Sequence, residues 1–313
     1  MSRFWIAHFV VCSCMVSGTV RAQEKPKANA PNTAATTTVT SFDAGHTVVG
    51  WLEIIPFESK IFHNTRMLRV LVPANYYSPH NAHRSYPVLY MQDGQNLFDE
   101  ATSNSGEWHV DETVEHLVGG FKIPPMFVVG IDYAGAQRSS EYLPYPNAHS
   151  QDPAARDPNE VHGKDYVRFL LTEVMPFIEK KYRISRGAAN TGLGGSSYGG
   201  DISLYTVLEH PRVFGHVLIE SPVLGIGDGQ LIKDAEKAKQ LPPKMYLGIG
   251  TSETTDQQPN AQIVQSVEDL EKVLRAKGLG PSRLKVVVEQ NATHNEAAWS
   301  RRLPEALLFL YGK

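Results

Sequence analysis

Gly195-Ser196-Ser197-Tyr198-Gly199 places a serine two residues from a glycine on either side. A serine hydroxyl attacks a carbonyl when a base takes its proton and when the backbone holds its Oγ clear of the chain. The pattern G-x-S-x-G meets the second need in a strand–turn–helix setting, where the residues flanking the serine come close and only glycines clear one another. Thr191–Gly194 reads as a short strand and Ile202–His210 as a helix stopped by Pro211, so that setting is present. Ser197 is the candidate nucleophile, and the helix N-terminus behind it favours developing negative charge. A phosphate-binding loop competes with this reading. However, Gly192–Ser197 lacks the third glycine of a dinucleotide fingerprint, and no lysine follows as in a P-loop.

A serine nucleophile needs a histidine base, and the histidine needs an orienting acid; in α/β-hydrolases the chain order is serine, acid, histidine. The chain has 12 histidines, so position decides. His294 lies just beyond the strand expected at Leu284–Val288, on the rim where a parallel sheet gathers its carboxyl ends. His210 ends a helix and His216 enters a strand, which suits surface and core roles better. The acid should follow the strand expected at Lys244–Ile249. Glu253 is the first carboxylate there and is preferred to Asp256, which sits deeper in a polar loop. Glu296 reads as an acid bracing a loop or opening a helix.

Acyl transfer also needs two N–H groups aimed at the tetrahedral oxyanion. One belongs to Tyr198, the residue after the nucleophile. The other is expected from Gln95, in the turn Gln92-Asp93-Gly94-Gln95-Asn96 after the strand Pro87–Met91, with Gly94 letting the backbone approach. An ordinary Asp-Gly turn is the plainer alternative. Trp108, Trp299, Tyr142 and Tyr145 are candidate walls for an aromatic acyl group such as catecholate or ferulate, although aromatic residues more often fill cores.

The elements that must position these residues form a regular series. Met67–Val72, Met126–Ile131 and His216–Ile219 join the runs named above as continuous apolar strands. Between them, Trp108–Val118, Tyr166–Tyr182, Ala261–Lys277 and Leu303–Tyr311 have helical spacing. Such strands separated by helices predict a mostly parallel sheet covered on both faces. Residues 134–162 break the rhythm with prolines and polar residues, and a loop of that length predicts a lid or pocket wall.

Composition agrees with one soluble globular domain: 42% hydrophobic, 20% charged, net charge −3. With no basic run, nucleic acid is not an expected partner. Both cysteines, Cys12 and Cys14, fall in an apolar stretch that follows Arg3 and ends at Val20-Arg21-Ala22. This reads as a secretory signal over residues 1–22, cleaved after Ala22. The stretch is short against the roughly 20 residues of a membrane span, and a lipoprotein site at Cys14 would have the poorly suited Cys12 upstream. Cleavage would remove Arg3, Arg21 and both cysteines, leaving a thiol-free, more acidic chain, periplasmic or secreted, with no stable membrane insertion. Residues 23–40 lack large apolar side chains and read as a flexible linker, so the folded domain is expected over 41–313, starting near Phe42.

The strings YPVLYMQDGQNLFD, GEWHVDE, GLGGSSYGG and THNEAAWSRRLPEALLFL, spread from about Asn64 to Leu310, resemble the esterase family of α/β-hydrolases. That family includes enterochelin, feruloyl and acetylxylan esterases, S-formylglutathione hydrolases and mycolyltransferases. The resemblance implies the α/β-hydrolase fold and hydrolysis of small-molecule carboxylic esters, with Ser197 as nucleophile, Glu253 as acid, His294 as base, Gln95 and Tyr198 at the oxyanion, and neither metal nor organic cofactor. Acyl transfer to a sugar or lipid acceptor, or a non-catalytic binding role, would use the same fold. Asp201 departs from the family pattern, where an apolar residue is commoner.

Overall fold

The computed structural model describes residues 35–41, 43–148, 153–255 and 257–312. The expected signal sequence, most of the linker, Phe42 and Asp256 therefore lie outside the described residues. Nine strands within them form one sheet: β1 Thr37–Thr40, β2 Trp51–Ser59, β3 Asn64–Val72, β4 Val88–Gln92, β5 Phe127–Ile131, β6 Thr191–Ser196, β7 His216–Glu220, β8 Lys244–Ser252 and β9 Leu284–Thr293. Their order is β1-β2-β3-β5-β4-β6-β7-β8-β9. The pairs from β5 through β9 are all parallel, while β1, β2, β3 and β5 pair antiparallel. β1 uses the end of the segment read as flexible linker. Its threonines and Val39 suit an edge strand, and they pair with Trp51–Ile54. β2 contains Pro56, which disguises it in the sequence.

The continuous apolar runs are buried on both faces for the reason expected. In β4, Val88 and Tyr90 enter one core while Leu89 and Met91 enter the other, as the two-residue strand period requires. Helices cover each face: α1 Val110–Gly119, α2 Arg138–Tyr142, α3 Pro153–Arg156, α4 Gly163–Phe169, α5 Met175–Lys181, α6 Tyr198–Glu209, α7 Ile226–Lys237, α8 Gln257–Ala276 and α9 Glu296–Tyr311. α1 and α9 bury Val114, Leu117, Leu303 and Leu307 in one core. Phe169, Ile178, Ile202, Leu231 and Leu270 enter the other.

Two helices depart from the sequence expectation. Tyr166–Tyr182 is not one regular helix, because Leu170–Val174 forms a π-helical turn between α4 and α5. Pro176, two residues beyond it, has no N–H to give to the preceding turn. α9 begins seven residues earlier than Leu303 and runs through Pro304. Its start is set by Asn295, whose side chain accepts from the Ala298 N–H at 3.0 Å. Among the described residues no helix is long and apolar enough to cross a membrane.

The sheet order also says where a site belongs. From β4 the chain crosses to β5 on one side, while β6 lies on the other. Loops leaving β4 and β6 therefore diverge, and a crevice opens outside their carboxyl ends.

Candidate active site

Ser197 sits in that crevice, at the junction of β6 and α6. Its backbone is left-handed, with φ 54° and ψ −132°, a conformation unfavourable for any residue with a Cβ. The Ser197 N–H donates to the Glu220 carbonyl at 2.9 Å, so neighbouring β7 holds the turn. The flanking glycines are required: a Cβ on Gly195 would lie 2.7 Å from the backbone of Gly199. α6 starts at once with Tyr198, four residues earlier than sequence periodicity suggests, because Gly199, Gly200 and Asp201 hide its first turn.

β8 and β9 bring the next pair together. His294 Nδ1–H donates to Glu253 Oε2 at 2.6 Å. Glu253 also accepts from the Gly250 N–H at 2.6 Å and from Ser221 Oγ at 2.8 Å, both at Oε1. Burial alone would raise the Glu253 carboxyl; the bonds from His294, Ser221 and Gly250 outweigh it and hold the pKa below the ordinary glutamate value. The imidazole is a third exposed while the carboxylate is almost dry. Ser221 in turn accepts from Trp299 Nε1 at 2.8 Å. The Trp299 ring stands edge-on to His294, with centroids 5.3 Å apart. Nothing in the spacing of the sequence points to Ser221: its partners lie 32 and 78 residues away in the chain.

Ser197 and His294 open into one cleft of about 450 Å³, lined also by Asp93, Asn96, Tyr133, Arg138 and Trp299. Gln95 lies in the turn between Asp93 and Asn96, its side chain accepting from the Tyr133 N–H at 3.2 Å, while Gln92 and Asp93 pack against the base of α6. Tyr198 is the first residue of α6, where a backbone N–H has no carbonyl of its own helix to bond. Gly94 is also required by packing. A Cβ there would strike Gly130 and Asp132 at 2.7 Å, so the glycine lets the turn pack on β5. Arg138 grips Asp93 through Nε at 2.7 Å and Nη2 at 2.8 Å. It comes from the irregular 134–162 segment, which does form part of the pocket wall.

Of the aromatic candidates only Trp299 reaches the cleft. Trp108 is 1% exposed and backs Trp299 from within the core. Tyr142 is fully buried, and Tyr145 turns away to bond Asp234. Tyr133 takes their place in the lining. Glu296 accepts from Asn96 Nδ2 and Ser105 Oγ, the bracing role expected of it. Asp201 is buried and accepts from the Val223 N–H, tying α6 to the chain after β7. His216 lies against Tyr311, where burial lowers its pKa.

The family model described as "Putative esterase" matches residues 59–310, spanning every element that builds this cleft. The chain belongs to this esterase family. It is accordingly a carboxylic ester hydrolase on an α/β-hydrolase fold. Uncharacterized protein YbbA of Bacillus subtilis is 24% identical over 229 residues, covering 73% of this chain and 86% of that protein. A siderophore enterobactin esterase of Emericella nidulans is 27% identical over 207 residues, 62% of this chain and 66% of that one. Among solved structures, a ferulic acid esterase superposes with a TM-score of 0.61 at 17% identity, covering 83% of this chain and 97% of its own. At that identity the likeness establishes the esterase's fold and nothing finer.

Proposed function

We propose that this esterase works through Ser197, His294 and Glu253. Ser197 Oγ attacks the ester carbonyl and passes its proton to His294 Nε2. The tetrahedral oxyanion is held by the N–H groups of Gln95 and Tyr198. His294 returns the proton to the departing alcohol, and the acyl group stays on Ser197. Water, deprotonated by His294, then adds to the acyl carbon; the acid leaves and Ser197 recovers its proton. Glu253 fixes the imidazole with Nδ1 protonated and stabilises the imidazolium. The observation carrying this reading is the 2.6 Å bond from His294 to a dry carboxylate, in the cleft that holds a strained serine.

Trp299 and Tyr133 flank the cleft and suit a flat acyl group, so the substrates we propose are esters of small aromatic acids. The named activity of the ferulic acid esterase fits that class. We also propose export, resting on the sequence of residues 1–22. N-terminal sequencing from the envelope fraction should read from Gln23, and a membrane-bound form still carrying residues 1–22 would reject it.

Labelling with a fluorophosphonate tests the mechanism. Wild type should be labelled, Ser197→Ala should not, and hydrolysis of p-nitrophenyl esters should fall about a thousandfold or more. Loss of activity in Ser196→Ala with retention in Ser197→Ala would overturn the assignment.

A further inference from the structure

Outside the cleft, the segment Glu107-Trp108-His109-Val110-Asp111-Glu112 gathers an unusual concentration of negative charge. The ligand-capable atoms of Glu107, His109 and Glu112 lie within 4.8 Å of one another. His109 Nδ1 is 3.1 Å from Glu112 Oε1 and 3.6 Å from Glu107 Oε2. Donors bound tetrahedrally at ~2.0–2.1 Å from one ion stand about 3.3 Å apart, so this spacing needs little adjustment. Glu107 is only 4% exposed. Its Oε2 accepts from Thr47 Oγ1 at 2.7 Å, whereas its Oε1 is buried without any hydrogen-bond partner. Glu112 Oε2 and Asp111 Oδ1 are buried as well, and these two carboxyls bond one another through a shared proton, which leaves Glu107 Oε1 as the oxygen of the cluster without a donor. Asp99 stands nearby, bonded to His46 Nδ1 at 2.6 Å. Among the described residues no lysine or arginine pairs with any of these four acids; only imidazoles do.

A buried carboxylate oxygen without a donor is expensive, and a compact cation is what relieves it. We propose that Glu107, His109 and Glu112 bind one divalent transition-metal cation, with Zn²⁺ the best match to one imidazole and two carboxylates and Mn²⁺ the next. The imidazole argues against Ca²⁺ and Mg²⁺, which take oxygen ligands. His109 is half exposed, so the ion has a path from solvent and room for water ligands. Its backbone is left-handed, at φ 53°, which turns the ring toward both glutamates at the start of α1. Glu107 holds Thr47, and Asp111 accepts from the Val49 N–H at 2.6 Å. An ion here would thus pin the chain entering β2 to the head of α1. Because Trp108 lies between two members of the cluster and packs on Trp299, the same ion would stiffen the wall behind the cleft.

Purified protein is stripped with chelator and titrated with Zn²⁺, Mn²⁺ or Ca²⁺ by calorimetry, with bound metal counted by elemental analysis. One Zn²⁺ per chain is expected, with a raised thermal midpoint and a weaker response to Ca²⁺. His109→Gly suits the left-handed backbone and should weaken Zn²⁺ at least tenfold; Glu112→Gln should do the same. Co²⁺ bound to wild type should show the visible bands of a nitrogen–oxygen site, a readout that needs no variant to fold. Absence of stoichiometric uptake would overturn the site and leave shared protons as what satisfies the cluster. Uptake unaffected by both substitutions, or a preference for Ca²⁺, would overturn it equally.

Discussion

Ser221 provides a quantitative test of how Glu253 is held. Its hydroxyl is buried and makes two bonds, donating to Glu253 and accepting from Trp299, each at 2.8 Å. Ser221→Ala removes both. The bond to the carboxylate is charge-assisted, and such bonds contribute about 1.5–3 kcal/mol. The indole N–H loses the acceptor it has in Ser221, which adds about 1–3 kcal/mol to the folding cost. Glu253 keeps its bonds from Gly250 and His294, so the geometry survives while the carboxylate is less well stabilised. If the lost interaction is felt fully where the imidazole becomes charged, kcat falls roughly 10- to 100-fold. Trp299→Phe removes only a neutral donor and leaves Ser221 bonded to Glu253; kcat should stay within about threefold, while KM rises because Trp299 lines the cleft. The assay is steady-state hydrolysis of p-nitrophenyl acetate, with thermal unfolding of each variant alongside. A Ser221→Ala enzyme with a lowered midpoint but a kcat within about twofold of wild type would refute the reasoning.

Glu253→Gln should lower kcat by roughly 10⁴, because an amide supports the wrong tautomer. Its stability effect should depend on pH with a definite sign. The folded pKa of Glu253 is depressed, so its contribution is complete above the ordinary value of 4.5 and lost as pH falls through the folded value. The gap between wild type and variant in urea unfolding should therefore be widest near neutrality and close in acid; a gap that widens in acid would contradict the depressed pKa. Arg302 holds buried Glu220 through Nε and Nη2 at 2.9 and 2.7 Å, and Arg302→Met should cost about 3–5 kcal/mol by leaving a carboxylate unpaired. A loss under about 1 kcal/mol would mean that Glu220 is neutral in the folded protein. Gly195→Ala should abolish activity and depress the melting temperature, since its Cβ would meet backbone at 2.7 Å; full activity would show that the elbow yields.

The sheet was legible because parallel strands buried on both faces are plain apolar runs: β4, β5, β7 and β8 stand out as Pro87–Met91, Met126–Ile131, His216–Ile219 and Lys244–Ile249. That Glu253 meets His294, and that His294 shares a cleft with Ser197, was legible because each of the three follows an expected strand and so falls on one rim. What escaped depends on side chains meeting across the fold. Ser221 and Arg138 gain their importance from partners far away in sequence, and Trp108 and Trp299 look alike until one is found behind the other. β1 escaped because a threonine-rich edge strand has the composition of a linker. The Glu107–His109–Glu112 cluster was hidden in a string that looked like a family signature and the start of a helix.

The parts of the cleft arrive at very different times during synthesis. Ser197 and the turn at Gln95 belong to the middle of the sheet, but Glu253 meets its histidine only once β9 has paired with β8, its one neighbour at the sheet's edge. Trp299 comes later still, on the last helix. On the proposed mechanism a chain emerging from the ribosome therefore carries Ser197 for about a hundred residues before His294 can activate it. Hydrolytic power then appears only when β9 and α9 dock, and recovery of activity during refolding would, on that mechanism, clock that docking rather than formation of the central sheet.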